Sequence, residues 1–524
     1  MGRSTGIYRS PFEAPELPDT NVPAYLRTLA RTRPQEIALV DAGSGSELSF
    51  GALDHAVGRC AAGLADLGLR PGDVLLIFAP NSIEWPIAAL AAMAAGGVVS
   101  GANPMYSADE LAHQLRRCKA RFVVTVPALL ATVRAALSQH VDVPIIVFGE
   151  TDDTLAFEHL LATSAPEPAL DIRAGDLAAL PFSSGTSGLA KGVMLTHANL
   201  LANILQFNAI VRPSEAPVAL AFLPMFHIFG FTIVTLCSLA KGMKLVTIPR
   251  FEPEAFLQSI AQHRVTQLFV VPPIMQFLAS HPLVERYDLR SIEYIGCGAA
   301  PLGAASAERV ASRLGCHVSQ GYGMTEASGC ITSSPPGTTR YGASGLLMPS
   351  TCARIVDPSS GTDVAPGEEG ELWFSGPQAF AGYLGDEAAT TATLDDDGWV
   401  HTGDIARFDA DGYLYVTDRL KELIKVNAYQ VAPAELEALL LTHPAVADVA
   451  VIARADARAG ERPVAYVVFR GAPDVDALML WLGERVVEYK QLAAIVVCAE
   501  IPKSPSGKIL RRLLRDRDRT SVPI

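Results

Sequence analysis

The residues best suited to chemistry stand together in the stretch PFSSGTSGLAKGVMLTHAN, residues 181–199. Ser183, Ser184, Gly185, Thr186, Ser187 and Gly188 put four hydroxyls and two glycines in one short loop, and Lys191 follows. Glycine lets a backbone approach an anion closely, so such a loop can aim N–H groups and hydroxyls at a phosphate. Lys191 adds a compact point charge. Flexible surface linkers share this composition, but the apolar flanks LAALPF and VML are those of a buried element edge. The loop is not a Walker A sequence, which needs four residues between its glycines and a Lys-Ser/Thr pair directly after. Here only Thr186 and Ser187 separate the glycines, and Gly192 follows the lysine.

Four more turns carry glycine or charge: GCGAAP at 296–301, GYGMTE at 321–326, HTGD at 401–404 and SPSGK at 504–508. Most follow an expected strand, where ligands of open α/β sheets collect. Neither GCGAAP nor GYGMTE completes a dinucleotide fingerprint, so a mononucleotide with a phosphate chain fits better.

These turns need elements to hold them. The chain has 524 residues, enough for several domains, with 49% apolar and 19% charged residues, as in a protein with large buried cores. A net charge of −13 argues against nucleic acid, which calls for a basic face. Eight scattered cysteines without a CxxC spacing indicate neither a zinc site nor a disulfide framework, and reduced thiols in the cytosol are the default. The apolar stretches 85–102 and 216–240 are interrupted by proline and read as core elements, not membrane spans.

Periodicity predicts a helix from 22, a strand pair over 37–50, a helix over 51–69 and a strand over 73–79, with Asn81 capping the next helix. Alternating helices and strands continue to 148, and a second such run spans 180–330. This rhythm is that of mainly parallel α/β units. Beyond 333, short strands punctuated by Gly, Pro and Asp read as a β region, and a small α+β unit begins at 421. The expected fold is α/β: an N-terminal domain over 1–420, with α/β subdomains at about 22–180 and 181–332 and a β subdomain at about 333–420, followed by a small mobile C-terminal lid over 421–524.

In order along the chain, SSGTSGLAKGVMLTH, FLPMFHIFG, GCGAAPL, GYGMTE, GELW, GWVHTGD, DRLKELIK and PKSPSGKILRR resemble the motifs of the adenylate-forming superfamily, with a texture closest to 4-coumarate:CoA ligases. The resemblance covers about 25–515. It implies an AMP-forming ligase working in two steps. A carboxylate attacks the α-phosphate of ATP to give acyl-AMP and pyrophosphate, and an acceptor, usually the thiol of coenzyme A, then takes the acyl group.

The resemblance also implies roles. Ser183–Gly188 and Lys191 hold the β- and γ-phosphates, with Thr186 and Glu326 at Mg²⁺. Gly298, Ala299, Ala300, Gln320, Gly321, Tyr322, Gly323 and Thr325 surround the nucleotide, and Tyr322 stacks on adenine. Asp404 and Arg419 take the ribose side, Gln430 also binds the nucleotide, Lys425 is catalytic together with Lys508 and His227, and Lys421 is the hinge. Lys508 bridges carboxylate and α-phosphate, although by itself it reads as a solvated tail lysine. His227, ordinarily a satisfied core histidine in such an apolar run, would shield the carboxylate site. It would line the acyl pocket with Phe229, Thr232, Ile233, Tyr294, Ser328, Gly329 and Cys330. Phe229 and Tyr294 favour a flat aromatic acid, and Gly329-Cys330 is roomier than the Pro-Val of many plant ligases.

One departure matters. In KELIKVNAYQ, Asn427 and Ala428 stand where the family has lysine and glycine beside the pantetheine tunnel. Gln491 likewise replaces a basic residue usual after Lys490. Two acceptors stay open: coenzyme A, or an amine attacking acyl-AMP directly as in amide synthetases of antibiotic biosynthesis. The partners implied are a small carboxylic acid, ATP and one of these acceptors, without nucleic acid or membrane; the oligomeric state is open.

Overall fold

The computed structural model describes residues 6–138, 143–183, 190–211, 216–427, 429–456, 458–504 and 507–521. Two α/β units form the body. In the first sheet Val98–Gly101, Val74–Phe78, Ala120–Thr125 and Ile145–Val147 run parallel, with Leu177–Ala179 beside them. Val74–Phe78 is buried along its whole length, as expected of a strand covered on both faces. Lys191–Thr196 then adds antiparallel to Leu177–Ala179.

The second sheet orders His317–Gln320, Tyr294–Cys297, Gln267–Val270, Val218–Ala221 and Lys244–Thr247, all parallel. Its far edge is the hairpin Ile37–Asp41 and Glu47–Ser49, which pairs with Lys244–Thr247. The early hairpin therefore belongs to the second sheet, while the phosphate strand after residue 181 belongs to the first. A division at 180/181 in chain order does not follow the sheets.

Local chemistry explains many ends. Helix Ala108–Cys118 opens on a Ser107–Glu110 capping box and ends with Lys119 left-handed. Helix His197–Ile210 opens on a Thr196–Asn199 box directly after the phosphate strand, which fixes where that strand stops.

Asn81 does not cap the next helix. That helix, Glu84–Ala94, has Ile83 at its N-cap and no side-chain cap bond. Asn81 instead donates to the Leu223 carbonyl (2.9 Å) and accepts from Met225 N–H (2.9 Å), tying the two units together. The same seam is close at Gly101, where an added Cβ would lie 2.6 Å from Phe226 Cα.

A third, antiparallel sheet runs Ile7–Arg9, Cys352–Val356, Gly370–Ser375, Val400–Phe408, Leu414–Arg419. The small domain pairs Ile424–Val426, Tyr429–Val431, Val446–Asp456 and Gly460–Phe469 antiparallel, with Ala494–Val497 parallel at one edge. The basic tail forms helix Arg511–Ser521. Arg511 pairs with both Glu422 (2.7 Å) and Glu437 (2.8 Å), so the tail anchors the small domain's first segment and first helix. Among the described residues no helix is long and apolar enough to cross a membrane.

Candidate active site

Parallel strands end in loops that cannot pair further, and here three such ends meet. The ends of Gln267–Val270, Tyr294–Cys297 and His317–Gln320 border a cleft. His227, Phe229, Ile233, Tyr294, Gly298, Ala299, Gly321, Tyr322, Gly323, Thr325, Gly329, Cys330 and Lys508 line it. Ala299 holds φ +72° without being glycine, a strain of the kind stored at functional sites.

The side where Asp404 stands is organised by a strand pair. Asp404 and Arg419 are register partners, with Arg419 Nε 3.1 Å from Asp404 Oδ1. Tyr322 donates its hydroxyl to Asp404 Oδ2 at 2.5 Å. Burial raises the Asp404 carboxyl pKa, and Arg419 opposes that rise. The Tyr322 hydroxyl is driven well above its ordinary value by burial and the adjacent carboxylate, so it stays a donor.

On the Lys191 side, Glu326 is buried and its Oε1 accepts from Ser183 Oγ (3.2 Å) and the Tyr383 hydroxyl (2.8 Å). Lys191 Nζ lies 5.0 Å over the Tyr383 ring and 3.5 Å from Asp386. Tyr383 escaped the sequence reading. Its signal was only a Gly-Tyr pair in GYLGD, and Glu326, to which its hydroxyl donates, lies 57 residues away in chain order. The expected cradle residues Ser184, Gly185, Thr186, Ser187 and Gly188 lie outside the described residues.

His227 precedes the π-helical segment Phe229–Leu236. Such wide turns often mark functional sites. Gly230 is required there, since a Cβ would stand 2.1 Å from the Pro224 carbonyl oxygen. The His227 pKa is pushed down to about 3 by burial and then by Lys508. The ring is therefore neutral at ordinary pH. Its Nδ1 accepts from Phe229 N–H at 3.3 Å, which leaves the proton on Nε2. The rate ratio of wild type to His227→Gln is then expected to stay constant between about pH 5.5 and 8. A tenfold drift across that window would mean that His227 titrates there.

Lys508 arrives from the small domain. Its turn is closed by Ser504 N–H to the Lys508 carbonyl (2.8 Å) and Lys508 N–H to Ser504 Oγ (3.1 Å). Gly507 packs against the large domain, where a Cβ would sit 3.5 Å from Val271 and Pro273. Burial, then Arg419, lowers the Lys508 pKa, while Asp404 and Glu326 oppose the shift.

Not every expected residue joins the cleft. Thr232 and Ser328 are fully buried but do not line it; Ser328 Oγ donates instead to the Gln378 carbonyl (2.9 Å). Ala300 and Gln320 sit beside the lining without facing it. Lys425 and Gln430 are exposed register partners on the hairpin of the small domain, because that domain turns the Lys508 loop, not the hairpin, to the cleft. Lys421 is in the turn after Arg419. Asn427 has φ +48° at the hairpin tip, and Ala428 lies outside the described residues. Gly296, Cys297 and Met324 line the cleft from the GCGAAP and GYGMTE turns, whereas Phe207, Phe269 and Ser333 line it unannounced, since burial of this kind leaves no pattern in the sequence.

Two α/β units, a β unit and a small domain that delivers one lysine into their shared cleft define the class of adenylate-forming enzymes. The chain belongs to the AMP-binding enzyme family: residues 26–384 match the model of the AMP-binding enzyme and 435–508 that of its C-terminal domain. It is a ligase, and ATP and coenzyme A are substrates of this family. It is 39% identical over 529 residues to 4-coumarate–CoA ligase 5 of Oryza sativa subsp. japonica, covering 97% of both chains. The fold is similar to an anthranilate CoA ligase in complex with anthranoyl-AMP (TM-score 0.89, 25% identity, 97% of this chain and 98% of that one). It is also similar to an amide bond synthetase from Marinactinospora thermotolerans (TM-score 0.85, 26% identity, 95% of this chain and 99% of that one).

Proposed function

We propose that this enzyme converts an aromatic carboxylic acid and ATP to acyl-AMP and pyrophosphate, then passes the acyl group to the thiol of coenzyme A. The observation that carries the first step is Lys508, delivered from another domain into the cleft that His227 and Tyr322 also line. One carboxylate oxygen of the acid bonds to the α-phosphorus as the bond to the bridging oxygen breaks, and pyrophosphate leaves. Lys508 offsets the charge of the two anions as they meet, and neutral His227 offers Nε2–H without adding to the charge. The thiol then bonds to the acyl carbon, AMP departs, and the thiol proton passes to solvent.

The donors present fit Mg²⁺. A hard cation wants oxygen ligands and is commonly held by one or two carboxylates plus substrate phosphates. Glu326 presents one such carboxylate, and among the described residues the side-chain hydrogen bonds to it fall on Oε1. When bound, Mg²⁺ would neutralise charge on the departing pyrophosphate.

The walls favour an aromatic acid. Phe207, Phe269 and Tyr294, packed against one another at centroid distances of 5.9 Å and 6.4 Å, give the cleft an aromatic lining. The relative that acts on 4-coumarate and the similar fold carrying anthranoyl-AMP support the same class.

A second acceptor is favoured by one observation. Asn427 replaces the usual lysine at the hairpin tip, and the amide bond synthetase shares the fold. The test is to incubate enzyme, ATP and substituted benzoates or cinnamates with coenzyme A or with amines. AMP release that rises with coenzyme A and yields a thioester is the expected result. Release indifferent to coenzyme A but dependent on an amine would replace it with the amide reading. Activity confined to straight-chain fatty acids would defeat the aromatic assignment.

A further inference from the structure

Tyr383 lies on Gly382–Tyr383, a two-residue strand paired antiparallel to the phosphate strand through Val193 and Met194. It is held from both sides. Its own N–H donates to Thr390 Oγ1 (2.9 Å), the Leu384 N–H donates to the Gly192 carbonyl (2.9 Å), and its ring stands edge-on to Phe380 at 4.9 Å. The Phe380 N–H also donates to the Glu326 carbonyl (2.9 Å), so one short segment grips both the phosphate strand and the backbone of the acidic residue.

The side chain has two separate uses. Its edge is a donor to one carboxylate oxygen of Glu326. Its face is a platform for the Lys191 ammonium, which also reaches Asp386. Toward a carboxylate oxygen the phenol hydroxyl can only donate, and at 2.8 Å it does so to Glu326 Oε1. A buried carboxylate is free to rotate unless its oxygens are engaged. Here Oε1 carries two donors, and rotation would break both. Among the described residues the lysine, by contrast, is held by a cation–π contact and one long ion pair, both weak enough for a polyphosphate to replace.

We propose that Tyr383 is a positioning residue of the pyrophosphate end, locking Glu326 with one oxygen turned outward for the metal and parking Lys191 until a polyphosphate draws it away. This rests on the reading of Glu326 as the metal carboxylate. Tyr383 touches neither substrate nor reacting atoms; it acts through its two neighbours.

The two uses separate by substitution. Tyr383→Phe keeps the ring and the Lys191 platform and removes the donor. Tyr383→Leu removes both. The affinity of each variant for ATP is measured calorimetrically without acid, with Mg²⁺ present and with Mg²⁺ chelated, beside the Mg²⁺ dependence of pyrophosphate exchange. Tyr383→Phe is expected to lose affinity about tenfold only when Mg²⁺ is present, the worth of one hydrogen bond to a charged group. Its Mg²⁺ requirement for exchange should rise to match, with its thermal midpoint kept. Tyr383→Leu should show the same metal-dependent loss and, with Lys191 no longer held back, no loss when Mg²⁺ is chelated. Equal Mg²⁺ dependence in wild type and Tyr383→Phe overturns the proposal, as does a loss of equal size with and without metal, which would be general structural damage. Wild-type enzyme that binds MgATP but shows no acid-dependent exchange defeats the ligase reading instead, and leaves the binding comparison to judge Tyr383.

Discussion

Replacing Lys508 by alanine is expected to lower acid-dependent pyrophosphate exchange by about a thousandfold while nucleotide binding changes little. The reasoning is electrostatic. Two anions must meet at phosphorus, and their repulsion grows as the new bond forms. A cation aimed at that point acts mainly on the transition state, and removing one such preorganised donor costs on the order of 10²–10³ in rate. Lys508 is the cation that the small domain brings into the cleft, at the end of a turn closed by Ser504. Its ammonium is already less stable than in water, because burial and Arg419 lower its pKa. The lysine therefore loses its proton at a lower pH than an exposed lysine does. Activity should fall on the alkaline side as it does so, and Lys508→Arg should keep its charge through that limb at a reduced rate. Exchange measured with saturating ATP, beside equilibrium AMP binding, checks both points. Exchange unchanged by Lys508→Ala would remove Lys508 from the chemistry.

Asp404→Ala should damage both stability and nucleotide binding. Asp404 is 4% exposed, pairs with Arg419 and accepts from Tyr322. Deleting it leaves a partly buried guanidinium without its carboxylate and a tyrosine hydroxyl without its acceptor. Breaking a buried pair by removing one partner costs about 3–5 kcal/mol, and the lower end applies here because Arg419 is partly exposed. Losing a charged acceptor for hydroxyl donors should also weaken nucleotide binding roughly tenfold to a hundredfold. Urea denaturation and calorimetric ATP titration read the two effects separately. A variant with wild-type stability and wild-type ATP affinity would reduce Asp404 to a turn carboxylate.

Much of this site was legible from residue order because its parts are turns. A turn advertises itself by glycine, proline and small polar residues, so HTGD, GYGMTE and SPSGK could be placed before any fold was known. Helix Ala108–Cys118 was legible for a similar reason, since its cap, periodicity and end are all local. What escaped was set by distant partners. Asn81 looks like a cap by its position before a helix, but the carbonyls that hold it come about 140 residues later. Tyr383 gains meaning only from Glu326 and Lys191, which no spacing connects to it. The hairpin Ile37–Asp41 and Glu47–Ser49 was legible as a hairpin, while the sheet it joins was not.

That hairpin has a consequence for how the chain is made. It leaves the ribosome well before Lys244–Thr247, the strand that must receive it. At roughly 5–20 residues per second, the intervening 200 or so residues keep it waiting for on the order of ten to forty seconds. During that time the apolar face of Ile37–Asp41 has no native partner, while the first sheet can already assemble around it. Completion of the second sheet is thus a late, long-range closure, slow by topology alone. Any fragment cut near residue 180 would strand the hairpin permanently, so the two α/β units must be born as one chain.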